Sequence, residues 1–245
     1  VIPGIANRFL NRFSLEIFSS FPGKKDKHFP MEKTISIGNP IRKEILDGSK
    51  EEAKKIFNLE GQKPLILILG GSQGSQRIND VVLQILPGLL NDFELIHQCG
   101  VNNFKIVEAE SNIVIGEDLK KRYHASPFLD ELDLAHAYAA ADLIVSRAGS
   151  GSIFEISALK KPSALIPLPE SAQNHQVENA YNYSGNGACV VIEEANLAPH
   201  FFLDRIKYLF SHPEELETMK KGANKFAKPR AAEVIAAYLL EYLTL

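Results

Sequence analysis

From Pro64 to Glu194 the chain repeats one pattern: a short apolar run, a turn of small residues, then a longer stretch with helical spacing. The runs are "PLILILGG" (64–71), "FELIHQCG" (93–100), "RYHASPFL" (122–129), "DLIVSRAG" (142–149), "SALIPLP" (163–169) and "ACVVIEE" (188–194). Leu, Ile and Val fill most of them without the alternation of a strand wetted on one face, which predicts strands covered on both faces. Residues 76–90, 130–141, 151–161 and 174–187 predict helices between them. Such alternation requires right-handed crossovers and leads to an α/β fold with a Rossmann-like, doubly wound parallel sheet.

The flanks read differently. Residues 201–227 and 231–243 are helical in pattern, with Val234, Ile235, Tyr238, Leu239 and Tyr242 on one stripe that needs a surface to pack on. Ile5, Phe9, Phe13 and Ile17 fall on one helical face, and residues 33–46 predict a strand running into a linker. The segment 111–123 fits neither period. The first residue is Val1, inside what reads as an element, so the chain is expected to be part of a longer sequence.

Net charge is −3, which argues against a general nucleic-acid binder. Residues 1–45 carry eight Lys/Arg against four Asp/Glu, a basic head that suits either a solvated loop or a nearby anion. Cys99 and Cys189 stand far apart with no metal-ligand spacing around them and read as reduced, buried thiols. No apolar run approaches the ~20 residues that cross a bilayer as a helix.

In open parallel sheets ligands lie beyond the carboxyl ends of the strands, where helix starts also point. Three turns there carry the candidate chemistry. In "LGGSQGSQRIN" (69–79), Gly70, Gly71 and Gly74 permit a tight turn with exposed amides, and Ser72 adds a hydroxyl, an arrangement suited to phosphate. A plain glycine turn explains the same residues. In "SRAGSGSIFE" (146–155), Gly149 to Ser152 leave no bulk at a helix start. Ser152 and Glu155 also have capping-box spacing, so Glu155 either ties down its own helix or accepts hydrogen bonds from sugar hydroxyls. Arg147 reads as a phosphate partner or a surface ion-pair residue. In "PLPESAQNHQVENA" (167–180), Gln173, Asn174, His175, Gln176 and Asn179 gather donors and acceptors of the kind that suit an uncharged, polyhydroxylated sugar. His175 reads as a scaffold residue ahead of a base. No Walker loop, nucleophile elbow, metal cluster or acid/base pair is visible.

Taken together, "IPGIANRFLNRF" (2–13), "GNPIR" (38–42), "GGSQGS" (70–75) with Ile78 and Asn79, "SRAGSGSIFE" and "IPLPESAQNHQVENA" (166–180) resemble glycosyltransferase family 28. The likeness is to its peptidoglycan N-acetylglucosaminyltransferases, inverting enzymes of GT-B fold. That resemblance implies the C-terminal, donor-binding half of such an enzyme at 41–228. Residues 1–40 would be a remnant of the acceptor-binding domain with its linker, and 229–245 a helix packing toward that domain. It implies transfer of GlcNAc from UDP-GlcNAc to lipid I, giving lipid II, with no cofactor or metal and no nucleic acid. Cell-wall and division proteins are implied as further partners, and a peripheral place on the cytoplasmic side of the membrane.

Carried over motif by motif, Arg42 would contact the donor near the interdomain cleft and Ser72 its phosphate side. Ser150, Gly151, Ser152, Ile153, Phe154 and Glu155 would hold uracil, ribose and diphosphate, with Glu155 on the ribose hydroxyls. Leu129 would border the uracil, and Gln176 would take the GlcNAc hydroxyls. Gly70, Gly71, Gln73, Gly74, Asn79, Arg147, Gln173, His175 and Asn179 would lend support. No catalytic residue is expected within the chain, because the family's first glycine-rich loop and its histidine would lie before Val1. Two neighbouring readings are a family 28-like transferase using another UDP-hexose, and a donor-binding subunit that needs a separate acceptor-binding chain.

Overall fold

The computed structural model describes residues 5–21, 29–71, 73–169, 171 and 174–243. Its centre is a six-stranded parallel sheet built from β3 (Leu65–Leu69), β4 (Glu94–Gln98), β5 (Tyr123–Ser126), β6 (Leu143–Ser146), β7 (Ser163–Leu165) and β8 (Cys189–Val191). The order across the sheet is β5-β4-β3-β6-β7-β8. The chain therefore starts in the middle, winds to one edge, returns and winds to the other. That reversal opens a crevice between the ends of β3 and β6.

The apolar runs form strands because both faces are covered. Leu65, Leu67 and Leu69 of β3 join one core with Ile96, Ile144, Tyr138, Phe154, Tyr183 and Phe226. Ile66 and Ile68 join the other with Leu95, Val145, Leu86, Leu89, Phe202 and Leu209. The first core lies under α2 (Lys50–Ile56), α5 (Glu131–Ala140), α6 (Ser150–Ala158), α7 (His175–Ser184) and α9 (Pro213–Phe226). The second lies under α3 (Gln76–Leu90), α4 (Phe104–Val114) and α8 (Pro199–Ser211). Burial of one such Leu or Phe contributes about 1.5–3 kcal/mol.

Two sequence expectations change. The segment 111–123 splits between the end of α4 and the start of β5, with a short 3-10 turn at Lys120–Arg122 before the strand. On α4, Ile106 and Ile113 are exposed while Val107 and Ser111 are buried, which blurs the helical stripe. At the other end, α1 covers only Ile5–Leu10, and Ile17 belongs to β1 (Ile17–Ser19), paired in parallel with β2 (Thr34–Ser36). Ser14 donates its hydroxyl to the Asn11 carbonyl at 3.0 Å, a local bond that competes with helix continuation. Phe9 and Phe13 are exposed, with their rings 5.7 Å apart.

The N-terminal residues are tied to the sheet domain by aromatic contacts. Phe21 meets Phe154 edge-on at 5.3 Å, and Phe154 meets Phe226 at 5.1 Å. The linker after β2 passes beneath Lys228. Gly38 sits at φ +89°, and a Cβ there would lie 2.4 Å from the Lys228 Cβ. The last helix, α10 (Ala231–Leu243), packs Tyr238 against Phe18 at 5.3 Å. Leu239 and Tyr242 of its stripe stay exposed. Among the described residues no helix is long and apolar enough to cross a membrane.

A polar network runs through the second core. The His97 ring bridges Asn79 Oδ1 at 3.1 Å and the Tyr123 hydroxyl at 2.8 Å, while the Asn79 amide donates to the Cys99 carbonyl at 3.0 Å. Complete burial drives the His97 pKa down to about 4 from 6.5. The unfolded chain therefore binds the extra proton first as pH falls. This contribution to stability is whole above about pH 6.5 and is lost between there and about pH 4, amounting to about 3 kcal/mol. In urea melts across that range, His97→Gln is expected to flatten the pH dependence by about this amount. Parallel curves for the two proteins would contradict it.

Candidate nucleotide-sugar site at the carboxyl edge of the sheet

The strand register sets Leu69, Gln98, Ser126, Ser146, Leu165 and Val191 level across the sheet. The turns that follow Leu69, Ser126, Ser146 and Leu165, together with Gln98 itself, line a cavity of about 790 Å³. Its walls bring together most of the positions singled out from sequence: Arg42, Gly70, Gly71, Gln73, Gly74, Leu129, Arg147, Gly151, Ser152, Glu155 and Gln176.

The glycine turn is required by its surroundings. Gly74 has φ +77°, and a Cβ there would lie 2.2 Å from the Cys99 carbonyl oxygen. Only glycine lets β3 and β4 end this close together. Ser75 then caps α3, its hydroxyl accepting from the Ile78 N–H at 3.4 Å.

The start of α6 is built otherwise. Its N-cap is Gly149, which has no side chain to cap with, and Ser152 lies inside the first turn. The capping box inferred from Ser152 and Glu155 is thus not made, since a capping-box serine must stand at the N-cap itself. Added Cβ atoms on Gly149 and Gly151 would meet nothing within 4 Å, so the first-turn backbone is open to the cavity. First-turn N–H groups of a helix have no intrahelical acceptor and carry its positive end.

Glu155 pairs with Arg42. Arg42 Nε donates to Oε1 at 2.8 Å and Nη2 to Oε2 at 2.9 Å, a two-pronged bridge across 113 positions of sequence. The Tyr138 hydroxyl donates to Oε2 at 3.4 Å. Glu155 holds Arg42 above its already high ordinary pKa, and burial pushes the Tyr138 hydroxyl up, so it remains a neutral donor. Two residues read separately from sequence therefore form one unit. A carboxylate has about four lone-pair directions, so this one keeps acceptor capacity for a ligand.

Arg147 is no surface residue: its side chain is 11% exposed and its guanidinium meets Glu194, the Ser75 hydroxyl and the Ile166 carbonyl. Gln176 lines the cavity and accepts from the Leu168 N–H at 3.0 Å. Leu129 is buried and lines the cavity, next to exposed Phe128.

Other expected positions fall elsewhere. Ile153 and Phe154 point into the core, because the helical turn that sends Ser152 and Glu155 to the cavity rotates them away. Asn79 is spent on the His97 network. Asn179 is buried and donates to the Ala148 carbonyl at 3.2 Å, tying α7 to the turn before α6. Ser150 and His175 do not line the cavity; Ser150 Oγ and His175 Nδ1 are buried without a hydrogen-bond partner among the described residues. Ser72 and Gln173 lie outside the described residues. The sequence reading missed Gln98 and Tyr138, both on the cavity wall. "HQ" at the end of a strand run was the available signal for Gln98; nothing local marks Tyr138.

The chain is similar to known proteins in sequence and in fold. Residues 65–235 match the model of the glycosyltransferase family 28 C-terminal domain. A relative from Thermodesulfovibrio yellowstonii is 38% identical over 96% of this chain and 63% of its own length. It is named UDP-N-acetylglucosamine–N-acetylmuramyl-(pentapeptide) pyrophosphoryl-undecaprenol N-acetylglucosamine transferase. A Clostridium tetani protein of the same name is 33% identical, with 96% and 63% covered. The chain thus spans less than two thirds of the length of these curated relatives. Among solved structures, Acinetobacter baumannii MurG superposes with a TM-score of 0.75 at 24% identity, over 98% of this chain and 64% of that one. The UDP-GlcNAc 2-epimerase of Neisseria meningitidis bound to UDP-GlcNAc superposes with 0.65 at 18% identity, over 96% and 63%.

The Arg42–Glu155 pair yields a stability test. Arg42→Met leaves a buried carboxylate without its cation and is expected to cost about 2–3 kcal/mol. That is below the ~3–5 kcal/mol of a fully buried pair, because the Arg42 side chain is 35% exposed. Combined with Glu155→Gln, the loss should fall short of the sum of the single losses by about 1–3 kcal/mol in urea melts. Additivity within about 0.5 kcal/mol would mean that the two groups do not act as a unit.

Proposed function

The chain belongs to the family of glycosyltransferase family 28 C-terminal domains, and on that footing we propose that it is the donor-binding part of an inverting N-acetylglucosaminyltransferase. In this reading the donor is UDP-GlcNAc and the acceptor is the muramyl 4-hydroxyl of lipid I, giving lipid II. The names of the relatives support the donor and the acceptor. The observation that carries the reading is the open first turn of α6 beside the Glu155 carboxylate, at the wall of one cavity. A diphosphate at that helix start leaves its ribose hydroxyls to Glu155, the uracil to the Phe128–Leu129 wall and the sugar to Gln176.

The reaction is a direct displacement at the anomeric carbon. The acceptor hydroxyl attacks, losing its proton to a base, and the bond to the diphosphate oxygen breaks, so UDP departs with growing negative charge. The residues of this chain bind and orient the donor. The amides at the start of α6 and in the Gly70–Gly74 turn face the oxygen on which charge develops, where fixed dipoles lower the barrier. The acceptor-binding surface and the base are assigned to the part of the enzyme that the longer relatives possess. The place of action is the cytoplasmic face of the membrane, held peripherally, beside cell-wall and division proteins.

Calorimetric titration tests this. UDP-GlcNAc is expected to bind the chain, and Glu155→Gln to weaken it by about 1–3 kcal/mol. A folded Glu155→Gln protein with unchanged affinity would remove Glu155 from the site. Equal competition by UDP-glucose would move the donor assignment to another UDP-hexose.

A further inference from the structure

Gln98 is the last residue of β4, 94% buried, and it has no place in the site as read so far. Both ends of its amide are used. Nε2 donates to the Gly71 carbonyl at 3.2 Å, in the turn after β3. Oε1 accepts from the Leu129 N–H at 3.2 Å, in the turn after β5. One side chain thus spans the central strand end and joins the two loops that flank it, while itself lining the cavity.

These loops have different tasks under the proposed function. The Gly71 turn carries the amides that face phosphate, and Leu129 borders the nucleobase. Backbone bonds hold the roots of the two loops, Gly70 N–H to the Gln98 carbonyl and Cys99 N–H to the Ser126 carbonyl, and Gly100 packs against the glycine turn. One step further out, at Gly71 and Leu129, the Gln98 side chain bonds to both loops at once. An amide suits the task because it is donor and acceptor at once and stays neutral. A carboxylate would face the Gly71 carbonyl with an acceptor against an acceptor. An apolar side chain would leave the buried Leu129 N–H and the partly buried Gly71 carbonyl unpaired.

We propose that Gln98 is a positioning residue of the donor site, a strut that sets the distance between the nucleobase loop and the phosphate loop. It thereby favours ligands that carry uridine and diphosphate together over ligands that carry uridine alone. The proposal rests on the donor-site reading above and adds a residue to it. Gain from a preset distance is felt only by a ligand that engages both loops at once.

Two substitutions test it. Gln98→Met keeps the volume and removes both hydrogen bonds. It is expected to weaken UDP-GlcNAc binding about tenfold while uridine binding changes less than about threefold. Gln98→Glu keeps the acceptor for Leu129 and turns the other end into a second acceptor. Its affinity for UDP-GlcNAc is expected to approach that of wild type as pH falls from 8 to 5, when the acid form regains a proton to donate to Gly71. UDP-GlcNAc is the right probe because its diphosphate is esterified at both ends and does not titrate in this range. Taking the ratio to wild type at each pH cancels the other titratable groups on the cavity wall, namely Arg42, Arg77, Tyr138, Arg147 and Glu155. It also cancels His97 and Cys99, which flank Gln98 in the chain.

A pH-independent ratio, or an equal loss of uridine and UDP-GlcNAc affinity in Gln98→Met, would overturn the strut while leaving the donor site standing. Failure of the wild-type chain to bind any uridine nucleotide would overturn both.

Discussion

The bidentate contact between Arg42 and Glu155 is the constraint on which the site depends. It pins the linker that follows β2 to the first turns of α6, and so decides where that helix begins to face the cavity. Glu155 is nearly buried, and an unpaired carboxylate there would cost several kcal/mol or take up a proton. Arg42 removes that cost without consuming every acceptor direction of the carboxylate. The pair is thus a structural joint and, under the proposed function, a binding surface at once. The linker can reach this position because Gly38 lets it pass under Lys228, so the last part of the chain also takes part in setting the joint.

Topology explains why the joint sits at the strand ends where open parallel sheets bind their ligands. Chain reversal at β3 and β6 leaves a crevice at their carboxyl ends, and the helices that follow must start there. α2, α3 and α5 spend a side chain on their own N-termini, through Ser49, Ser75 and Asp130. α6 does not; Gly149 leaves its first-turn amides to the cavity. Such amides are costly to leave unpaired only where water cannot reach, and a cavity open to solvent holds them ready for an anion.

Much of this was legible in the sequence, for a physical reason. Strands covered on both faces need unbroken runs of Leu, Ile and Val, and "PLILILGG" or "DLIVSRAG" can hardly be read otherwise. Turns that must be small announce themselves as Gly70–Gly74 and Gly149–Ser152. What stayed hidden depends on register and on distance in sequence. Gln98 becomes a wall of the cavity only because β4 places it level with Leu69 and Ser126. Tyr138 reaches Glu155 only because α5 and α6 cover the same face of the sheet, and Asn79 turns inward because His97 lies across from it. The burial of the Ile153 and Phe154 side chains has the same origin. A motif read as a continuous run of ligand contacts ignores the 3.6-residue turn, which sends every other pair of positions into the core. The short α1 escaped because the apolar spacing runs on to Phe13 and Ile17, past the end of the helix at Leu10.

The charges around the cavity decide what kind of recognition it can perform. Arg42 is matched by Glu155 and Arg147 by Glu194, while the Arg77 guanidinium donates to the Leu197 carbonyl at 2.9 Å. The two arginines nearest the α6 turn thus bring their own counter-charges and leave little net positive field for a diphosphate. Under the proposed function, the attraction then comes from backbone dipoles at the helix start and in the glycine turn, with Arg77, bonded to a neutral carbonyl, as the remaining cation on the wall. Dipoles act over the first turn and reward position, whereas a field of unpaired cations reaches about a Debye length and fades with salt. A site of this type discriminates by where the phosphate sits relative to the ribose and the base. That requirement is met by fixing loops against one another, and under the proposed function it gives the buried amide of Gln98 and the Arg42 joint the same task at two places on the cavity wall.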